Sequence, residues 1–300
     1  MKPIIIDVDT GTDDALAILY AVRHPELDIR GISCVIGNVS VDQAVINTCK
    51  VLDAANAGDI PVGVGAAQPL IERARRETGG SHGPDGLAGI QLPKSSRRPA
   101  AMSAVELLHQ LIMASAEPVS LVSLAPKTNL ALLFTSYPDI AARLEQIIFM
   151  GGSASKADAE FNVWQDPEAA MLVLEFSVPI TMYGLDLFDR LVVDRADVDR
   201  LRTHDHPAIR LAAELLHRRH ARHHDSDQQK LRLLGDAGAM VLLTNPELFV
   251  IEERNISVVL AGVGRGHTID DSGPKITVAM DLDVTKAASA FVKTIYAYAA

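Results

Sequence analysis

Apolar residues fall along the chain in two alternating rhythms. Pro3 to Asp7 is a short apolar run of strand length, and Asp13 to Arg23 then sets Ala15, Leu16, Ile18, Leu19 and Val22 at helical spacing, with His24 and Pro25 as the stop. Leu27 to Ile36 repeats the strand signal, Gly37 and Asn38 break it, and Val41 to Ala57 reads as a second helix ending near Gly58. Further strands are predicted at Val119 to Leu124, Gln146 to Met150, Ile180 to Leu185, Asn255 to Ala261 and Lys275 to Asp281. Helices are predicted around Ala101 to Ala114, Pro167 to Phe176, Pro207 to His220 and Thr285 to Tyr298. This alternation implies an α/β fold: an open, mainly parallel, doubly wound (Rossmann-like) sheet flanked by helices, in a single domain over residues 1–300. Ligands of such a sheet bind beyond the carboxyl ends of its strands. Two stretches resist the pattern, Ala66 to Arg98, rich in Gly, Arg and Pro, and His204 to Leu234, rich in His and Arg. Segments of this kind often form lids or binding loops.

With 48% hydrophobic and 22% charged residues, the 300-residue chain can bury a large core, which sets disorder aside. A formal net charge of −10 offers no basic patch for a phosphate backbone, so nucleic acid is not an expected partner. No apolar run approaches the length of a membrane span, and Met1-Lys2-Pro3 leads into a strand without the segments of a signal peptide. The expected compartment is the cytoplasm. Cys34 lies in an apolar strand-like run and Cys49 on a helix-like segment; both read as core residues rather than a disulfide or a thiolate metal site.

The strongest chemical signal is Asp7-Val8-Asp9-Thr10-Gly11-Thr12-Asp13-Asp14-Ala15, four carboxylates at the junction of the first strand and first helix. Asp7 and Asp9 share one face of a strand by period two, and Asp13 and Asp14 open the helix. Helix capping alone would explain Asp13 or Asp14 but not all four. Carboxylates this close either raise one another's pKa or share a cation, and hard oxygen donors without nearby Cys or His point to calcium or magnesium.

This segment resembles the signature of the inosine/uridine-type nucleoside hydrolases, whose usual form has Pro where Thr10 stands. The resemblance continues through Gly37-Asn38-Val39, Ser81-His82-Gly83-Pro84-Asp85-Gly86-Leu87-Ala88-Gly89 and Leu124-Ala125-Pro126-Lys127-Thr128-Asn129-Leu130-Ala131. It then takes in Met150-Gly151-Gly152, Ala159-Glu160-Phe161-Asn162, Asp166-Pro167-Glu168-Ala169, Gly184-Leu185-Asp186 and Asp236, blocks that span nearly the whole chain. It implies calcium-dependent hydrolysis of the N-glycosidic bond of a ribonucleoside, as in purine and pyrimidine salvage, by a homodimer or homotetramer. By resemblance, calcium is held by Asp9, Asp14, the Thr128 main-chain carbonyl and Asp236. Asp9 then takes the proton of the attacking water, and Asp13 binds the ribose 2-hydroxyl. Asn38, Glu160 and Asn162 correspond to residues that hold the water and the 3- and 5-hydroxyls, and His82 is placed beside the base or the ribose. This division suits an oxocarbenium-like transition state, which needs water delivered to the anomeric carbon.

Two departures stand out. Base-nonspecific members carry a His before the C-terminal aspartate that can protonate the departing base, whereas this chain has Gly235. The family's Asn six residues before the glutamate is replaced by Ala154 in a shortened loop, which puts recognition of the 5-hydroxyl in question. His223 and His224, or His217 and His220 before them, are candidates for a replacement acid, with a solvated helix face as the plainer reading. Trp164 is placed either near the pocket or in the core. Two other functions are consistent with parts of the chain. A noncatalytic or altered-specificity ribose-binding member would explain Gly235 and Ala154, and a divalent-metal phosphohydrolase would use Asp7-x-Asp9-Thr10 with Asp270-Asp271 as a second acidic pair.

Overall fold

The computed structural model describes residues 1–72, 82–156, 158–220 and 231–300. The first strand, β1 (Lys2–Val8), is buried from Pro3 onward because it lies inside the sheet with both faces covered, which is why its sequence is a continuous apolar run. A short turn leads into α1 (Thr12–Arg23), buried on all sides from Thr12 to Ala21. β2 (Leu27–Cys34), α2 (Val41–Ala54), β3 (Val62–Val64) and α3 (Ala104–Ala114) follow. Next come β4 (Val119–Ser123), α4 (Thr128–Ser136), β5 (Leu144–Met150), α5 (Phe161–Gln165), α6 (Pro167–Leu174) and β6 (Ile180–Tyr183). The chain continues through α7 (Leu185–Phe188), β7 (Val192–Asp194), α8 (Arg195–Arg202), α9 (Pro207–His220), β8 (Leu231–Leu233) and α10 (Ala237–Thr244). It ends with β9 (Phe249–Val258), β10 (Thr268–Leu282) and α11 (Val284–Tyr296).

One sheet organises the molecule, in the order β3-β2-β1-β4-β5-β6-β10-β9. Every pairing in it is parallel except that of β10 with the edge strand β9. Helices α1, α2, α9, α10 and α11 share one apolar cluster on one side of the sheet, and α3, α4 and α6 share a second cluster on the other. The fold is therefore the α/β, mainly parallel, doubly wound arrangement read from the sequence. From β1 the chain winds outward to β3 and then returns to β4 on the opposite flank of β1. The sheet order thus reverses between β1 and β4, where the carboxyl ends of the strands open a crevice.

The structure corrects several boundaries. β6 stops at Tyr183, and Leu185, expected to end it, opens α7. β9 and β10 are longer than expected and form an antiparallel hairpin at the sheet's edge. Their charged residues pair along and across the strands, Arg254 with Asp270 at 3.0 Å and Lys275 with Glu253 at 2.6 Å, and this exposed charge hides the apolar rhythm. α4, α8, α10 and the small β7-β8 pair were not anticipated; α10 is apolar all round because it is entirely enclosed. Among the described residues, no helix is long and apolar enough to cross a membrane.

Candidate active site

The carboxylate segment closes the carboxyl end of β1 and starts α1. Gly11 is the N-cap, and Asp14 at the third helical position turns back to accept the Gly11 N–H at 2.8 Å. Capping explains one oxygen of Asp14; the other, Oδ1, is buried without a hydrogen-bond partner among the described residues. Asp13, Asp14 and Asp236 bring carboxylate oxygens within 4.8 Å of one another, all three buried. Asp236 arrives from the far end of the chain at the N-terminus of α10, behind Gly235, whose φ of 63° lies in the left-handed region that favours glycine.

Asp9 lies next to this triad. Its Oδ2 accepts the Asn38 backbone N–H at 2.5 Å and its Oδ1 the Asn38 amide at 3.2 Å, and the same amide stands 3.4 Å from Asp14 Oδ2. The approach is possible because Gly37 has no side chain: a Cβ there would collide with the Asp9 carboxylate. Asp7 is turned away from the triad. Its Oδ1 accepts from Ser33 at 2.5 Å and from Asn129 at 2.8 Å, so it braces β1 against β2 and α4 rather than joining Asp13, Asp14 and Asp236.

A cavity of about 320 Å³ opens above these groups. Asp13, Gly37, Asn38 and Asp236 form its polar floor, His82 and Gly83 one side, Glu160 and Asn162 another, and Leu124, Met150, Phe161, Leu185, Phe188 and Leu233 its apolar lining. Glu160 caps α5, accepting from Val163 N at 3.1 Å and from Gly152 N at 3.2 Å. The Asn162 amide donates to the Leu124 carbonyl at 2.8 Å, and the residue lines the cavity. His82 Nδ1 accepts the Thr12 N–H at 3.1 Å, which places the ring proton of the neutral form on Nε2. Asp13 Oδ1 lies 3.5 Å from that same Nδ1, a proximity rather than an ion pair while Nδ1 is an acceptor.

Burial dominates the electrostatics. It raises Asp9 well above the usual carboxylate range, with the Asp14 charge adding to the effect, and pushes Asp14 up to about 7 with help from Asp13. Burial takes Asp7 to about 6, against the hydrogen bonds from Ser33 and Asn129, and raises Glu160 as well. Lys127 is the counterweight: fully buried, it is pushed down to about 8 by desolvation, while Glu160, Asp7, Asp236 and Asp9 favour its charged form. Oxygen donors alone, reluctant to carry charge by themselves and with Asp14 Oδ1 unpartnered, fit a hard divalent cation.

The remaining expectations divide. Thr128 opens α4 with its hydroxyl on Asp166 at 2.6 Å. Ala154 packs against the core, and no described residue between 153 and 158 lines the cavity. Asp186 holds that loop away by accepting from Ser153 Oγ at 3.1 Å, Ala154 N at 2.9 Å and Ser155 N at 3.0 Å, and from the Ser155 hydroxyl. Trp164 packs over Gly266 and does not line the cavity. His223, His224 and the side chain of His220 lie outside the described residues, and His217, half-buried on α9, is not in the cavity wall. Asp270 and Asp271 bind Arg254 and Ser257 on the exposed hairpin, which removes the second acidic pair of a phosphohydrolase from the site. Cys34 and Cys49 are free and buried. Lys127, Phe188 and Leu233 were given no role from the sequence; only the charge inside the apolar Leu124 to Ala131 segment hinted at the first.

Residues 4–289 match the family described as inosine-uridine preferring nucleoside hydrolase. The chain is 36% identical over 296 residues to the pyrimidine-specific ribonucleoside hydrolase RihA of Escherichia coli O9:H4 (strain HS), covering 94% of each protein. Among solved structures it is similar to a plant nucleoside hydrolase, PpNRh1, with a TM-score of 0.91 at 28% identity over 98% of both chains. It is also similar to a purine-preferring ribonucleoside hydrolase from Gardnerella vaginalis, with a TM-score of 0.92 at 27% identity over 99% of both.

Proposed function

From the premise that the chain belongs to the inosine-uridine preferring nucleoside hydrolase family, we propose that it is a calcium-dependent N-glycosidase that cleaves a ribonucleoside to ribose and free base. The observation that carries this reading is the convergence of Asp13, Asp14 and Asp236 beneath a cavity walled by Glu160 and Asn162. By the family resemblance Asp9, Asp14, Asp236 and the Thr128 carbonyl would hold the ion, and Asp13, whose carboxylate lies within 4.8 Å of those of Asp14 and Asp236, would bind the ribose 2-hydroxyl beside it. When bound, calcium supplies a Lewis acid that acidifies water and clamps sugar hydroxyls. Asp9 accepts the proton of the attacking water; burial makes its carboxylate basic, and Asn38 fixes both of its oxygens. Glu160 and Asn162 bind the remaining ribose hydroxyls, taking over the 5-hydroxyl from the loop that Asp186 holds back.

Departure of the base calls for a proton that Gly235 has no side chain to give. His82 is the only histidine among the described residues that line the cavity, and its Nε2–H is the donor we assign; His223 and His224 are the alternatives. Gly235 also favours a second reading, a ribose-binding member without turnover of natural nucleosides. A cytoplasmic homodimer or homotetramer follows from the same family reading, and light scattering on the purified chain tests the assembly.

The curated relative named above is pyrimidine-specific and a structural neighbour is purine-preferring, so the test uses both bases. Release of reducing sugar is measured from inosine, uridine and p-nitrophenyl riboside, with calcium and after chelation. Calcium-dependent cleavage of a natural nucleoside is expected. Cleavage of the nitrophenyl riboside alone would favour the second reading, and silence on all three would overturn the hydrolase.

A further inference from the structure

Lys127 is the one fully buried lysine among the described residues. It sits between β4 and α4, and its ammonium donates to the carbonyls of Ala125 and Met150, each at 2.6 Å, and more loosely to Ser123 at 3.4 Å. It also stands 4.4 Å from the centre of the Phe149 ring. These partners are all neutral, so among the described residues the charge has no carboxylate in direct contact, and a buried charge without one is costly unless a surrounding field repays it. That field is present: Asp7, Asp9, Asp13, Asp14, Glu160 and Asp236 are all buried, and Glu160, Asp7, Asp236 and Asp9 each act on the ammonium.

We infer that Lys127 is a built-in cation that shares the carboxylate cluster with the metal and sets the site's affinity for a divalent ion below that of the carboxylates alone. The inference rests on the reading of Asp9, Asp14 and Asp236 as a cation site. A fixed positive charge beneath the cluster does two things. It moderates the mutual repulsion of the carboxylates when no ion is bound, and it repels an ion that enters. At an effective dielectric near 20, the repulsion between a unit charge and a divalent ion exceeds what a tenfold change in affinity requires out to a separation of roughly 20 Å. Lys127 touches neither cavity nor substrate, so it is a positioning residue, acting through the field it adds and through the carbonyls it gathers from the ends of β4 and β5.

These two actions predict opposite results. If the ammonium served only to staple the Ala125 and Met150 carbonyls, its removal would loosen the Thr128 turn and weaken the binding of every ion alike. If its charge matters, removal strengthens binding, and more so for an ion of higher charge. The experiment is calorimetric titration of metal-free protein at pH 7 with calcium and with terbium(III), for the wild type, Lys127→Met and Lys127→Gln. Gln keeps a donor for the carbonyls in case the Met variant does not fold. The expected result is calcium binding about tenfold tighter in either neutral variant, with a larger gain for terbium. Unchanged or weaker binding, or equal gains for both ions, would overturn the inference while leaving the cation site in place. Absence of calcium binding by the wild type would overturn the site and the inference together.

Discussion

Asn38 grips both oxygens of Asp9, one through its backbone N–H at 2.5 Å and the other through its side-chain amide at 3.2 Å. The end of β2 thus fixes the carboxylate that β1 delivers, over a glycine that clears the way. Replacing Asp9 by Asn puts an amide N–H against one of these donors and removes the proton acceptor. Turnover is expected to fall by at least about a thousandfold, in the range of lost general-base catalysis, with the thermal transition retained. Full activity in Asp9→Asn would remove Asp9 as the base.

The substitution of Thr10 for the family's usual proline has a structural counterpart. Thr10 Oγ1 lies 2.6 Å from Thr48 Oγ1, both fully buried, and Thr48 donates its own proton to the Ala44 carbonyl at 2.9 Å. Thr10 must therefore be the donor of the pair. In Thr48→Val the Thr10 hydroxyl loses its acceptor inside the core, and a loss of about 1–3 kcal/mol is expected from urea denaturation. Thr10→Val leaves Thr48 satisfied by Ala44 and costs less. The double variant is expected to be more stable than the sum of the single losses predicts; strict additivity would mean that the two hydroxyls are not coupled.

Calcium binding and pH are linked through the same carboxylates. In the metal-free fold Asp7 titrates near 6 and Asp14 near 7, above the ordinary value of 3.8 that they regain on unfolding. As pH rises through this window the unfolded chain loses these protons first, so these groups favour the fold at low pH and progressively cease to do so up to about 7. A cation bound by Asp14 favours its ionised form and offsets the Asp14 part of the effect. The melting temperature of the chelated protein is expected to fall between pH 5 and 7.5, and the rise on adding calcium to grow over the same interval. A calcium-induced rise of the same size at both pH values would disconnect the cluster from the ion.

What the sequence disclosed follows from how each part of the site is encoded. Asp9, Asp13 and Asp14 were legible because strand, turn and helix start are contiguous, so three donors share one short segment. That Asp13, rather than Asp9, meets Asp14 and Asp236 depends on how the first turn of α1 faces α10, a matter of tertiary packing. Lys127 was hidden inside an apolar segment where its charge reads as an exception, and its meaning appears only when the ends of β4 and β5 are brought together. Phe188 and Leu233 come from elements too short to leave a periodic signal, α7 and β8. The loop around Ala154 illustrates the converse: its shortening was evident, but Asp186 as the residue that folds it away lies about thirty positions downstream.

His82 offers the sharpest test of how the base leaves. Thr12 N–H holds the ring through Nδ1, so in the neutral form the proton available to a leaving group is on Nε2. A purine or pyrimidine anion is a poor leaving group and needs that proton, whereas p-nitrophenolate does not. His82→Ala is therefore expected to lower kcat on inosine or uridine by about a hundredfold, within the range of general-acid catalysis, and to leave kcat on p-nitrophenyl riboside nearly unchanged. Equal losses on both substrates, with KM raised, would assign His82 to ribose binding. No loss on either would move the acid to His223 or His224, and the same substrate pair applied to His223→Ala and His224→Ala would then locate it.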